Sequence, residues 1–75
     1  MQARIKEVMS KVFNIDSKGI VEETSPDTVE MWDSLRHMQM VLALEEEFSI
    51  TFSEDQILNL TNFRSICSII DQLTS

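Results

Sequence analysis

The chain has 75 residues, 43% of them hydrophobic, which is enough for one small globular domain and leaves little room for an enclosed active site. The 13 acidic and 6 basic residues give a formal net charge of -7, which disfavours nucleic acid and anionic membranes as partners and favours basic protein surfaces. The only cysteine is Cys67, so neither an internal disulfide nor a cysteine-based zinc site can form.

The amino terminus and the hydrophobic runs give no indication of export or membrane insertion. The sequence that starts at Met1 leads into an amphipathic helix and not into an apolar segment. The longest unbroken apolar run, residues 40–44, is too short to span a bilayer. We therefore expect a single cytoplasmic domain over residues 1–75.

The first predicted element is a helix over residues 2–13. Its apolar residues recur at intervals of three and four and form one stripe on a helical surface. These residues are Ile5, Val8, Met9, Val12 and Phe13. The stripe predicts a helix with one face in the core and a solvated back.

Residues 14–32 have no helical or strand period, and Gly19 and Pro26 interrupt them. A loop this long in a small domain needs apolar anchors. The candidates for these anchors are Ile15, Ile20 and Val21. Val29 and Trp32, three residues apart, can share one face of a short turn. The sequence therefore predicts an ordered crossover with one helical turn.

The second predicted helix covers residues 34–47, with the carboxylate of Asp33 as its N-cap. Its apolar residues divide into two stripes. The first stripe, which faces the core, consists of Met40, Val41, Leu44 and Phe48. The second stripe consists of Leu35, Met38 and Leu42, flanked by Gln39, Glu45 and Glu46. An apolar stripe edged with carboxylates indicates a partner surface, and the alternative is a central helix buried on most sides.

The remainder of the chain predicts two further helices. Phe48, Ile50 and Phe52 alternate with polar residues, which is typical of a short extended connection. Ser53 and Gln56 have the spacing of a capping box, so a short third helix is expected over residues 53–59. A fourth helix begins after Thr61 or Asn62 and ends near Leu73. Its core stripe is Phe63, Ile66, Cys67, Ile70 and Leu73.

The sequence lacks the usual arrangements of an active site. Gly19 is the only glycine, which excludes a glycine-rich phosphate loop. The only histidine, His37, is expected at the surface or at its boundary, and no triad or calcium loop accompanies it. Ser34 has no activating base of its own, yet the start of a helix favours an attached phosphate. Ser34 is either modified by another protein or, with Asp33, merely caps the helix.

The tripeptide Asp33-Ser34-Leu35, followed by Leu-Ala-Leu-Glu-Glu-Glu-Phe at residues 42–48, resembles the acyl carrier proteins. The resemblance covers nearly the whole chain and implies an all-α, four-helix bundle with a long first loop and a short third helix. It implies a non-enzymatic carrier with 4'-phosphopantetheine on Ser34. Asp33 is expected to help hold Mg²⁺ while this group is transferred to the serine. It places the partner-docking residues on the second stripe: Leu35, Met38, Gln39, Leu42, Glu45 and Glu46.

The resemblance also implies the partners: a phosphopantetheinyl transferase, and acyl-loading, condensing or acyltransferase enzymes with basic patches. The chain departs from carriers of primary fatty acid synthesis at Met31 and Arg36, and it adds Trp32 and His37 around the motif. These departures are typical of a specialised free-standing carrier in fatty-acid-like, polyketide or other biosynthesis, and we expect a monomer. The alternatives are an aminoacyl or peptidyl carrier and an unmodified acidic adaptor. The cargo either swings in solvent or folds back around Met40, Val41, Ile57 and Ile66.

Overall fold

The computed structural model describes residues 2–74 and is all-helical within that range. Its α-helices are α1 (Gln2–Phe13), α2 (Ser34–Phe48), α3 (Glu54–Leu58) and α4 (Phe63–Thr74). A 3₁₀ helix at Ser17–Gly19 lies in the loop between α1 and α2. The predicted all-α fold, with a long first loop and a short third helix, is confirmed. Met1 and Ser75, the two ends of the predicted domain, lie outside the described residues.

The helix ends follow from local sequence. α1 and α2 each stop at a residue with left-handed backbone, Asn14 (φ 55°) and Ser49 (φ 53°). The next N–H after each, that of Ile15 or Ile50, donates to a carbonyl five residues back, which satisfies the last turn of the helix. α2 extends one residue beyond its predicted end. The capping box predicted for α3 is present, with Ser53 as the N-cap.

The apolar stripes meet in one core, as their periodicity predicts. α1 contributes four buried residues, α2 three and α4 three, and these are Ile5, Val8, Met9, Phe13, Met40, Val41, Leu44, Phe63, Ile66 and Ile70. α3 has no fully buried residue. Its segment is instead anchored by Phe52 before it and Leu60 after it, both buried. Within the described part of the chain, no helix combines the length and the apolar character needed to cross a bilayer.

The first loop packs against the core largely as predicted, with one exception. Ile20, Val29 and Trp32 are buried, but Val21 is 54% exposed, so the expectation that Val21 anchors the loop is wrong. The buried side chain of Thr24 accepts the Val21 N–H at 2.8 Å, so a polar residue fills the inner side of this turn. The helical turn of the loop lies at Ser17–Gly19, where Asp16 caps it.

Two arginines join α1 to α2, one near each end of α2. Arg36 Nη1 donates to the carbonyl of Val12 at 2.7 Å, in the last turn of α1, where carbonyl groups lack helical partners. Arg4 Nε donates to the Glu47 carboxylate at 2.9 Å, and its guanidinium lies over the Phe48 ring. The first of these contacts holds the start of α2, and with it Ser34, against the end of α1.

Candidate functional site

Ser34 is the exposed first residue of α2, presented at the junction of loop and helix. The preceding residue, Asp33, has extended backbone and caps the helix, with Oδ1 accepting the Arg36 N–H at 2.8 Å. The Asp33 carbonyl accepts the His37 N–H, also at 2.8 Å. The N–H groups of Ser34 and Leu35 have no acceptor within the helix and point toward its N-terminal end. Such a helix start suits an attached phosphate.

A groove of about 570 Å³ opens beside Ser34, between the start of α2 and the α3 segment. Apolar side chains dominate its lining, which is formed by Pro26, Trp32, Asp33, Ser34, His37, Met38, Ile57, Leu58, Leu60 and Thr61. A concave, mostly apolar surface with a few polar groups at its edge is typical of a site for a small organic group. The hydroxyl of Ser34 therefore lies where a flexible arm can reach either the groove or the solvent.

The groove contains only part of the cargo region that the sequence suggested. Ile57 lines it, but Met40, Val41 and Ile66 are buried in the core and do not. In this structure the core is closed over these three residues, so a cargo around them stays a prediction. His37 lies on the same face of α2 as Met40 and Val41 and ends that stripe at the groove.

The α3 wall of the groove is held by two side chains of α2. The carboxylate of Glu45 accepts the backbone N–H of Phe52 at 2.9 Å, just before α3. His37 Nε2 lies 3.1 Å from the carbonyl oxygen of Ile57, within α3. A short helix with no fully buried residue thus has a polar anchor from α2 at each end.

The second stripe of α2 is exposed, as its charged edges predicted. Leu35 is 69% and Leu42 62% exposed, and Met38 lies between them beside the groove. Gln39 and Glu46 are also exposed, whereas Glu45 is half-buried and bonded to the α3 segment. The structure therefore brings five of the six predicted docking residues to an open surface and gives Glu45 a structural bond.

Two residues that matter for the groove were not predicted as site residues. Trp32 is buried and His37 half-buried, and both line the groove. His37 was expected at the surface or boundary, where it lies, but its bonds were not foreseen. One signal was available: His37 precedes Met40 by three residues and Val41 by four, which places it on the buried stripe.

The geometry gives Ser34 no catalytic partner of its own. Trp32 Nε1 donates to His37 Nδ1 at 3.0 Å, and Nε2 of the same ring is directed at the Ile57 carbonyl. His37 therefore has no free nitrogen to accept the proton of Ser34. No group of three or more His, Cys, Asp or Glu side chains in residues 2–74 is arranged to hold a metal ion. The site can present a hydroxyl and shelter an attached group.

The only thiol of the chain, that of Cys67, lies outside the candidate site and has low nucleophilic reactivity. Cys67 is half-buried on α4, packed against the core. Burial raises the pKa of the Cys67 thiol, because the apolar surroundings disfavour the charged thiolate. The thiol therefore contributes to packing and not to the candidate site.

Comparisons with known proteins agree in family and in fold. The family described as "Phosphopantetheine attachment site" matches residues 3–70. The acyl carrier protein of Buchnera aphidicola subsp. Baizongia pistaciae (strain Bp) is 29% identical over 70 residues, covering 93% of this chain and 90% of that protein. The solution NMR structure of the holo acyl carrier protein from Geobacter metallireducens matches with a TM-score of 0.86 at 28% identity, covering 96% of this chain and 83% of that one.

Proposed function

Since the chain belongs to the acyl carrier protein family, we propose that it holds acyl intermediates on a 4'-phosphopantetheine arm attached to Ser34 and presents them to partner enzymes. Members of the family carry this group covalently and are not enzymes. The arm supplies a terminal thiol that carries acyl groups as thioesters. The observation that supports Ser34 is the exposure of its side chain at the start of α2, beside an apolar groove.

Attachment at Ser34 would be made by an external transferase, since the nearby His37 has both of its ring nitrogens engaged. The transferase would join Ser34 Oγ to the phosphorus of the arm of coenzyme A, taking up the serine proton and releasing adenosine 3',5'-bisphosphate. The free N–H groups of Ser34 and Leu35 would stabilise the phosphate that stays on the protein. Asp33 Oδ1 accepts the backbone N–H of Arg36. Its other carboxylate oxygen can therefore contribute to holding a divalent cation during transfer.

The second stripe of α2 is the proposed docking surface. Leu35, Met38 and Leu42 supply exposed apolar contacts one helical turn apart, beginning next to Ser34. Glu46 and Gln39 border them, in a protein with a formal net charge of -7. A partner with a basic rim around an apolar pocket would be attracted rapidly and held weakly, which suits a carrier that visits several enzymes.

The departures from the usual motif suggest a specialised role for this single carrier domain of residues 1–75. Arg36 bonds the Val12 carbonyl of α1, and His37 bonds Trp32 and Ile57, so both side chains are engaged within the protein. The partners we propose are a phosphopantetheinyl transferase and enzymes that load, condense or transfer acyl groups in fatty-acid-like, polyketide or related biosynthesis. We propose that it acts as a cytoplasmic monomer.

Intact mass spectrometry tests the attachment site directly. Incubation with coenzyme A, Mg²⁺ and a transferase of broad specificity should add the mass of one phosphopantetheine to the wild-type chain. Ser34→Ala should show no gain, and Ser68→Ala, which changes an exposed serine of α4, should gain the group as the wild type does. A wild-type chain that stays unmodified with every transferase would leave the acidic adaptor as the better explanation. A modified Ser34→Ala chain would show that another residue carries the arm.

A further inference from the structure

The groove beside Ser34 has an aromatic floor made of two side chains joined edge to edge. The Nε1–H of Trp32 donates to Nδ1 of His37 at 3.0 Å, and the two ring planes are inclined by only 20°. Because an indole N–H lies in the plane of its ring, the two rings lie side by side, with their centroids 6.2 Å apart. We call this pair of rings the Trp32–His37 plate.

The plate is supported from below and from one side. Phe13, fully buried, packs against the indole of Trp32 with a centroid distance of 4.8 Å. Because His37 Nδ1 accepts a hydrogen from Trp32, the neutral ring carries its own hydrogen on Nε2 and donates it to the Ile57 carbonyl at 3.1 Å. The hydrogen bonds of the plate therefore connect three segments: the loop before α2, α2 and α3.

The plate also lies where the groove would otherwise continue into the core. Both of its residues line the groove, yet Trp32 is only 5% exposed and rests on Phe13, which is 0% exposed. On α2, the buried Met40 follows His37 one turn further along the same face. Interiors of this kind are close-packed, with few voids larger than a water molecule.

From these contacts we infer that the Trp32–His37 plate confines the cargo to the surface groove, which makes His37 a specificity-determining residue of this carrier. The inference rests on the proposed attachment at Ser34. To pass the plate, an acyl chain would have to break the hydrogen bonds of His37 to Trp32 and Ile57 and then displace close-packed side chains. Short acyl groups are sheltered beside Met38 and Ile57, and a longer chain extends along the surface into solvent.

The test is methyl NMR of the intact protein, loaded on Ser34 by a transferase from acetyl-, octanoyl- and tetradecanoyl-coenzyme A. In the wild type, we expect the Ile57 and Leu58 methyl signals to shift on loading with each of the three groups. The Ile66 and Ile70 methyl signals, which report on the closed core, should stay within a line width at every chain length. A shift of either core signal in the wild type would overturn the inference without any variant being needed.

Two variants test the ring of His37 and its hydrogen bonds separately. His37→Ala removes half of the plate, so tetradecanoyl loading should now shift the Ile66 or Ile70 methyl signals. His37→Phe keeps a ring in place without the hydrogen bonds, so its core signals should shift less than those of His37→Ala. A loaded, folded His37→Ala protein with unchanged core signals would show that the plate is not the barrier.

The mass of each loaded sample is measured first, which keeps two failures apart. A wild-type chain that gains no mass counts against the proposed attachment. A wild-type chain that is loaded on Ser34 and shows shifted core signals counts against the plate alone.

Discussion

The carboxylate of Glu45 accepts the backbone N–H of Phe52 at 2.9 Å, and this bond divides the acidic residues of α2 into two kinds. Glu45 is half-buried and holds the segment that leads into α3. Its neighbour Glu46 is exposed beside the apolar residues of the second stripe. Adjacent acids in the same Leu-Glu-Glu-Glu-Phe sequence therefore have different surroundings: Glu45 is bonded to the segment before α3, and Glu46 is open to solvent.

Loss of the Glu45 carboxylate should destabilise the protein. Glu45→Ala leaves the Phe52 N–H without its acceptor in a half-buried position, which should lower the free energy of unfolding by about 1–3 kcal/mol. Glu46→Ala, one residue away and exposed, should change it by no more than about 0.5 kcal/mol. Urea denaturation followed by circular dichroism measures both. Equal losses of unfolding free energy in the two variants would show that the bond between Glu45 and the Phe52 N–H makes no measurable contribution to stability.

Loss of the Arg36 side chain should loosen the junction of α1 and α2. Arg36→Met keeps much of the apolar stem but removes the charged donor to the Val12 carbonyl, and we expect a loss of about 1.5–3 kcal/mol in unfolding free energy. Arg64→Met is the matched control, because its ion pair with Glu22 is exposed and should contribute nothing measurable. An Arg36→Met protein as stable as the wild type would mean that water replaces the bond without cost.

Changes in the second stripe should affect partners and leave the fold intact. In the transferase reaction, Leu42→Ala and Glu46→Lys should each lower kcat/KM about fivefold, which corresponds to roughly 1 kcal/mol of docking energy. The Glu46→Lys effect should shrink at high salt, because the exposed charge is then screened. Glu7→Lys makes the same charge change on the exposed side of α1 and should leave kcat/KM unchanged. Similar losses in Glu7→Lys and Glu46→Lys would show that net charge, and not the stripe, determines docking.

Alkaline pH should affect the buried thiol and the stability together. Because burial raises the pKa of Cys67, the folded thiol ionises at higher pH than the unfolded one. The stabilisation is thus complete below the ordinary thiol pKa and is lost as the pH rises through the raised value. At about pH 8, iodoacetamide should modify Cys67 severalfold more slowly in the folded protein than in urea. The Cys67→Ser protein gives the background, and equal rates in the two states would contradict the shift.

The helices could be predicted because their signals are local. The period of α1 and the caps at Asp33 and Ser53 lie within a few residues of the ends they determine, and the predicted bounds agree within a residue or two. Even so, α2 runs to Phe48, one residue past its prediction, because the left-handed conformation at Ser49 provides a later stop.

The bonds between distant segments could not be predicted from the sequence alone. Arg36 reaches Val12 across 24 positions and His37 reaches Ile57 across 20, and no local pattern encodes such a pairing. Val21 was placed in the core for another reason: no pattern in the sequence indicates that Thr24, three residues later, is buried in its stead. The exposure of the second stripe was predictable because charge beside apolar residues is a local pattern. The closed floor of the groove was not.

Both hydrogen bonds from α2 to the α3 segment are made to main-chain atoms. Glu45 bonds the N–H of Phe52, and His37 bonds the carbonyl of Ile57. The exposed side chain of Leu58 is therefore not part of the attachment, whereas the side chain of Ile57 also packs against the core. Substitutions on this wall of the groove can make its side chains larger, smaller or more polar while the hydrogen bonds to α2 hold the backbone in place. Such a carrier could acquire a different cargo preference by changing two or three side chains, with its scaffold left as it is.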